Sequence, residues 1–443
     1  MKISTHITAA LFALGIVSQA SADPVVYLTG STAFRSTIDT ALLNNTGTNN
    51  GGVFDSGTVT YVAYGNANQL SANYLVVHGN INGSPTYIDV AWSGSEAGIA
   101  SACNTTLKNT DRNGNIINLA GSPEQWLNVN AVTLSGGAGI PTNPPSSLLE
   151  TNSDGTPNFH GADLAQADTS QAVSWTPYQA GTQTALNDFG VEGVVTFSVS
   201  KNVQTTASQP WLDCTNVTIP QLATILGTGF VPASYMTGNP SDNNQFVYIV
   251  GRNRGSGTRM NVLADSHYGT KNAVQQYSVG LGIEEPATSS LILTNEGNNG
   301  YESGGGVVKA LFIPGSCQQT DPFTGNSGWF AIGYASPSDL LNSANLVNTN
   351  NWVTLDGVPE CNGTIENGSY WYWGHEHLYG KYQISGIQDT VGNILFQAAG
   401  LTLNTLYNGS VYGNHDAGIA KQYMNCTKTS DSAYPSPSGP GNP

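Results

Sequence analysis

Three times along this 443-residue chain an apolar, strand-like run ends in Gly, Ser or Thr and passes directly into a helix-like stretch. Val25 to Leu28 leads through Thr29, Gly30, Ser31 and Thr32 into Ala33 to Leu43, with Phe34, Ile38, Leu42 and Leu43 at helical spacing. Tyr87 to Trp92 leads through Ser93, Gly94 and Ser95 into a short helix, and Phe246 to Val250 leads through GRNRGSGTR into Met260 to His267. Strands alternating with helices, joined by small hydroxyl and glycine residues, predict an α/β protein whose binding loops lie at strand C-termini. Free N–H groups at such helix starts point at a ligand and favour an anion.

The charge distribution sharpens that expectation. The chain has a net charge of −16 and only five arginines; Arg252, Arg254 and Arg259 fall in the third junction and Arg35 in the first. An acidic surface repels small anions at long range, so an anion site here must concentrate donors locally. Guanidinium groups beside Gly255, Ser256, Gly257 and Thr258 do so in a form suited to bidentate oxyanion contacts. The same acidity argues against nucleic acid and acidic membrane surfaces as partners.

Residues 1–22 read as a secretory signal, with Lys2, an apolar stretch from Ala9 to Val17, and Ala20, Ser21 and Ala22 before a cut ahead of Asp23. No cysteine stands near that cut to carry a lipid, and no later run is apolar enough to span a membrane. A periplasmic or secreted protein without membrane insertion, acting as a monomer, is expected. Charged residues are only 9% of the chain, so Asn, Thr, Ser and Gly supply the polar surface. Cys103, Cys214, Cys317, Cys361 and Cys426 lack CxxC spacing, which excludes zinc ribbons and c-type haem. Up to two disulfides are open to them in an oxidising compartment, with the pairing undetermined.

Between the junctions, Asn44 to Gly57 reads as a surface loop, and Tyr61 to Tyr64 and Asn73 to Val77 as strands. Residues 104–160, rich in Gly, Pro and Asn, read as an insertion with short strands. Ala162 to Asp168 reads as a strand edge carrying two acids. Val191 to Val199 is a near-continuous apolar run suited to a buried parallel sheet. Gly304 to Phe312 reads as a helix and Trp329 to Tyr334 as a strand, while residues 427–443, rich in Ser, Pro and Gly, read as disordered.

In this order the junctions resemble the periplasmic phosphate-binding proteins of ABC transporters, of the class II two-lobed binding-protein fold. The resemblance is carried by LTGSTAF (Leu28 to Phe34), GSEAG (Gly94 to Gly98), DLAQAD (Asp163 to Asp168), RNRGSGT (Arg252 to Thr258) and AIGY (Ala331 to Tyr334). It implies lobes of mixed, mainly parallel sheets flanked by helices: lobe one from 23–197 plus 371–426, lobe two from 198–370. It implies contacts to inorganic phosphate from Ser31, Thr32, the backbone of Ala33 and Phe34, then Ser95, Asp168, Arg252, Ser256, Gly257 and Thr258. It also implies an ABC transporter permease as partner and no cofactor. Asp168 beside an anion makes sense through protonation: a carboxylate only accepts, and near neutral pH phosphate has a proton to give where sulfate has none.

Other motifs lack the context their chemistry needs. Gly257 is followed by Thr258 and Arg259, which excludes a P-loop, and NEGNNG at 295–300 lacks the strand and helix of a dinucleotide fingerprint. His375, Glu376 and His377 follow an aromatic run that reads as the strand returning between lobes; with no third ligand evident, no metal is expected. No GxSxG elbow or hydrolase triad is present, so catalysis is not expected. A secreted phosphatase-like member of the same family, or a surface or matrix protein that keeps the fold, are the alternatives.

Overall fold

The computed structural model describes residues 22–111, 113–119, 124–175, 185–202, 209–279, 292–312, 321, 323–325, 329–341, 351–407 and 418–438. The segment expected to be a signal peptide lies outside them, apart from Ala22, and so does Cys317. Among the described residues the chain forms two eight-stranded mixed sheets, each flanked by helices. No described helix is long and apolar enough to cross a membrane.

The first sheet is built around three adjacent parallel strands, Ser84–Ala91, Val25–Gly30 and Leu164–Ala167. Val26, Leu28, Val90 and Leu164 are fully buried, as strands covered on both faces require. Their register, with Thr29 opposite Ala91 and Gly30 opposite Gln166, brings all three C-terminal ends to one edge. Helix Arg35–Leu43 buries Ile38, Ala41 and Leu42 against the long helix Ile387–Leu406. The second sheet has a parallel centre of Phe330–Ala335, Phe246–Val250 and Gln276–Val279. Helices Gly257–Asp265 and Gly304–Leu311 pack against Phe330–Ala335.

The sheets are less parallel than expected. Parallel pairing is confined largely to these centres, because the chain passes between sheets on strands that pair antiparallel. The apolar run from Val191 to Val199 is the passage itself: Asn187–Thr196 lies in the first sheet, Phe197 is the step, and Ser198–Lys201 lies in the second. Its apolar continuity reflects burial in two successive sheets, not parallel neighbours. The return runs through Tyr370, Trp371 and Tyr372 into Trp373–Gly380. The two passages are tied together, since Phe197 N donates to the Tyr372 carbonyl at 3.3 Å and Tyr370 Oη donates to the Phe197 carbonyl at 2.8 Å.

Two further expectations change. Leu164–Ala167 is an internal strand, paired to Val25–Gly30 and to Trp373–Gly380. The stretch 427–438, read as disordered, is folded: Cys426–Thr427 pairs with Ser436–Pro437, Lys428 is buried, and its Nζ donates to Asp265 at 2.7 Å and to the Trp373 carbonyl at 2.8 Å. Composition missed this because buried polar contacts hold the hairpin in place of an apolar run: the Lys428–Asp265 pair, and Asp431, which accepts from Ser170 N at 3.0 Å and Ser170 Oγ at 2.7 Å. No disulfide joins the described cysteines; Cys103, Cys214, Cys361 and Cys426 are thiols. The stretch 104–160 contributes one small hairpin, Lys108–Thr110 with Ile116–Asn118, and a second two-stranded pairing that closes a long loop, Glu124–Gln125 with Phe159–His160.

Candidate functional site

Each parallel centre ends in the loops marked by the sequence. From the first sheet, Val25–Gly30 delivers Ser31 to Phe34, Ser84–Ala91 delivers Ser93 to Ser95, and Leu164–Ala167 delivers Asp168. From the second, Phe246–Val250 delivers the loop 251–256 and helix Gly257–Asp265. The loops meet. Glu96 N and Ala97 N donate to the Gly255 carbonyl at 3.0 and 3.3 Å, so the start of helix Ser95–Ala102 is capped by the opposite lobe.

Asp168 sits at the meeting point, 1% exposed. Its N–H donates to Ser95 Oγ at 3.3 Å, and Asn261 Nδ2 donates to its carbonyl at 2.9 Å. Its carboxylate lies over Gly257 so closely that a Cβ there would come within 1.5 Å of Oδ1 and 2.7 Å of Ser95 Oγ. Glycine at 257 is therefore required by the approach of the two lobes. Burial pushes the Asp168 carboxyl up to about 7; Ser95 and Arg252 pull it down, while Glu96 and Asp431 add to the rise.

Arg252 is held by its backbone and aimed by its surroundings. Its N–H donates to Tyr334 Oη at 3.2 Å, Tyr334 Oη donates to Gln276 Oε1 at 2.7 Å, and Gln276 Nε2 donates back to the Arg252 carbonyl at 3.0 Å. One guanidinium nitrogen donates to the Glu302 carbonyl at 2.6 Å. Nε has no partner, although the residue is 2% exposed. Burial lowers its pKa, and Asp339 and Asp168 offset part of that.

The remaining predicted residues divide. Ser31 is fully buried; its N–H donates to the Gln166 carbonyl at 2.8 Å and its Oγ makes no hydrogen bond of normal geometry. That hydroxyl lies near enough to buried Glu376 to favour the charged carboxylate, which burial otherwise strongly disfavours. Thr32 and Ala33 are partly exposed and Phe34 packs inward. Ser256 caps helix Gly257–Asp265, accepting from Arg259 N at 3.3 Å, and the Thr258 carbonyl accepts from Tyr372 Oη at 2.9 Å. The other arginines do different work. Arg259 donates to the carbonyls of Arg252 at 3.2 Å and Asn298 at 2.8 Å, and burial lowers its pKa to about 10. Arg254 lies over the Trp175 ring at 4.4 Å, with Arg259 at 5.7 Å. Arg35 turns toward Ala72 and Asn73, outside the cluster.

Several residues of the cluster carried no mark in the sequence. Glu96, fully buried, accepts from Thr169 Oγ1 at 2.8 Å, Ser174 Oγ at 2.7 Å and Trp175 N at 2.7 Å, and so shapes the segment that follows Asp168. The available signal was a single acid inside an otherwise small and apolar helix start. Glu192, Gln166 and Glu376 form a buried polar layer behind Ser31, with Gln166 Nε2 donating to Glu192 at 3.3 Å. Among the described residues no group of His, Cys, Asp and Glu could hold a metal ion. His377 instead pairs with Asp188 at 3.1 Å.

No family model matches the chain, and no curated protein matches it. Solved structures that are similar include a putative phosphate ABC transporter substrate-binding protein with bound phosphate from Clostridium perfringens, 15% identical, with 84% of this chain and 92% of that chain covered and a TM-score of 0.39. An ABC-type phosphate transport receptor from Vibrio cholerae is 12% identical, with 86% and 98% covered and a TM-score of 0.39. A possible phosphate binding protein from Planctomyces limnophilus DSM 3776 is 10% identical, with 87% and 100% covered and a TM-score of 0.35. Superpositions this loose leave any functional assignment to the residues themselves.

Proposed function

We propose that the chain is an exported solute-binding protein that captures inorganic phosphate between its two lobes. The observation that carries this is the meeting of four separated loops around buried Asp168, where Asp168 Oδ1 and nearby Arg252 Nε lack hydrogen-bond partners. Leaving a buried polar atom unsatisfied costs about 1–3 kcal/mol each, so a ligand that pairs with both recovers that cost on binding. A tetrahedral anion carrying one proton suits the set. It offers oxygens to Arg252, Ser31, Thr32, Ser95, Ser256, Thr258 and the amides of Ala33, Phe34 and Gly257, and its proton to Asp168.

The ligand would draw the lobes together through contacts from both, and two tied passages between the sheets would act as the hinge. The expected setting is the periplasm or the medium, as a monomer, with an ABC transporter permease as receiving partner. Calorimetry of the purified mature protein against phosphate, arsenate and sulfate tests this. Saturable heat with phosphate, unaffected by excess sulfate and abolished in Arg252→Ala, is expected. Absence of heat and of thermal stabilisation with phosphate would overturn the proposal.

A further inference from the structure

Behind the anion site, the strand that returns from the second lobe, Trp373–Gly380, runs antiparallel beside Leu164–Ala167, with His377 opposite Ala167. One residue further along that register Glu376 falls opposite Asp168, and residues directly opposite in a sheet send their side chains to the same face. On its other flank Glu376 lies opposite Gly193, which has no side chain to cover it. Glu376 is fully buried, and neither of its carboxyl oxygens has a hydrogen-bond partner in the protein. Among the described residues it is surrounded by the acids Asp168 and Glu192 and by the hydroxyl of Ser31, with no cation acting on it.

Neighbouring carboxyls in a water-excluded layer do not both ionise. Asp168 has the better claim to the charge, because Ser95 and Arg252 both favour its ionised form. Glu376 has no such support: burial and its two acidic neighbours all push its carboxyl well above the usual range, and Ser31 alone opposes them. Glu192 is engaged separately, by Gln166 Nε2 at 3.3 Å. A carboxyl that keeps its proton is a hydrogen-bond donor, and Ser31 Oγ, fully buried and itself without a partner, is the acceptor beside it.

A hydroxyl has one proton and two lone pairs. If Ser31 accepts from Glu376, its own O–H is free to point at an anion. If Glu376 were ionised, Ser31 would direct that proton to Glu376 and present lone pairs to the ligand. We propose that Glu376 is a positioning residue of the anion site: it stays protonated, donates a hydrogen bond to Ser31 Oγ, and so leaves the Ser31 hydroxyl to donate to the bound phosphate. This rests on the phosphate reading above and adds to it the group that fixes the polarity of one of its donors. The neutral acid also keeps a second negative charge away from the ligand, which Asp168 already faces with one.

Two measurements on the full mature protein test this. Infrared difference spectra at pH 8, parent minus Glu376→Gln, should show the C=O stretch of a protonated carboxyl in the parent that the variant lacks. A difference spectrum showing only carboxylate bands would overturn the proposal. Calorimetry with inorganic phosphate then reads the polarity. Glu376→Gln keeps a donor for Ser31 and should leave the Kd nearly unchanged, whereas Glu376→Met has none and should raise it about fivefold, the weight of a hydrogen bond of about 1 kcal/mol. Ser31→Ala should raise the Kd about tenfold, as loss of a hydrogen bond to a charged group does, and adding Glu376→Met to it should cost nothing more. A Glu376→Gln variant as weak as Glu376→Met, or losses that multiply in the double variant, would overturn the positioning role while leaving phosphate capture standing. If Glu376→Met fails to fold, the infrared result and the Glu376→Gln titration still decide. Failure of the parent to bind phosphate would remove the phosphate reading and the positioning role with it.

Discussion

Replacing Asp168 with asparagine tests the core of the site in a way that does not depend on knowing the ligand. Burial pushes the Asp168 carboxyl up to about 7 from an ordinary 3.8. An acid raised on folding keeps its proton in the native state over a range where the unfolded chain has lost it. Stability therefore falls as pH rises from about 4 to about 7 and is flat above. At about 1.4 kcal/mol per pH unit across that window, holding this carboxylate charged in ligand-free protein at pH 8 costs on the order of 4 kcal/mol relative to pH 4. The amide in Asp168→Asn cannot ionise, so the variant lacks this slope. Urea unfolding of ligand-free protein at pH 4 and pH 8 should show the stability difference between Asp168→Asn and the parent moving in the variant's favour by about that amount. Any fixed cost of the amide cancels in the comparison. Parallel pH profiles would refute the claim that desolvation governs this group. The same variant gains an N–H donor and loses the charge, so sulfate should now bind at pH 8; continued exclusion of sulfate would remove Asp168 from the selectivity argument.

Three other substitutions probe the surrounding structure. Gly94 has φ of +102° and a Cβ there would lie 2.6 Å from the Gly255 carbonyl oxygen of the other lobe, so Gly94→Ala should hold the lobes apart and weaken phosphate binding at least tenfold by calorimetry. Trp175→Leu removes the buried ring beneath Arg254 and Arg259 and, at about 0.5–2 kcal/mol per cation–π contact in addition to the lost burial, should lower the urea midpoint as well as raise the phosphate Kd several-fold. Lys428→Met leaves Asp265 buried without its cation and should cost about 3–5 kcal/mol in urea unfolding, whereas the double change with Asp265→Leu should recover most of it.

What was legible in the sequence was local. Strand ends at Gly30, Ala91 and Val250, and the small residues that follow them, are set within a few residues of chain, so their elements and positions could be read directly. The apolar run read as a strand over Val191 to Val199 was local too, but it disclosed neither that the strand begins at Asn187 nor that the chain changes sheets at Phe197. Residues whose partners lie far along the chain were not legible. Gln276 matters because it touches Arg252 and Tyr334, and Glu96 because it orders Thr169 to Trp175. Neither has a neighbour in sequence that announces such a role.

The arginine loop shows how far local reading can mislead about division of labour. Three guanidinium groups in nine residues suggest a shared positive cradle, yet the fold sends them in separate directions. Arg252 faces the acid, Arg259 supports the Arg252 carbonyl from below, and Arg254 crosses to Trp175 and to the Lys108 carbonyl of the inserted hairpin. Lys108 and Asn109 thus bring the 104–160 stretch to the second lobe, Asn109 reaching Asn299 at 2.9 Å. One guanidinium would remain for the proposed anion, while Arg254 and Arg259 make contacts within the protein. Under the proposed phosphate capture, a site arranged in this way would gain specificity from the buried Asp168 and the single aligned Arg252, because piled-up positive charge would attract every small anion alike.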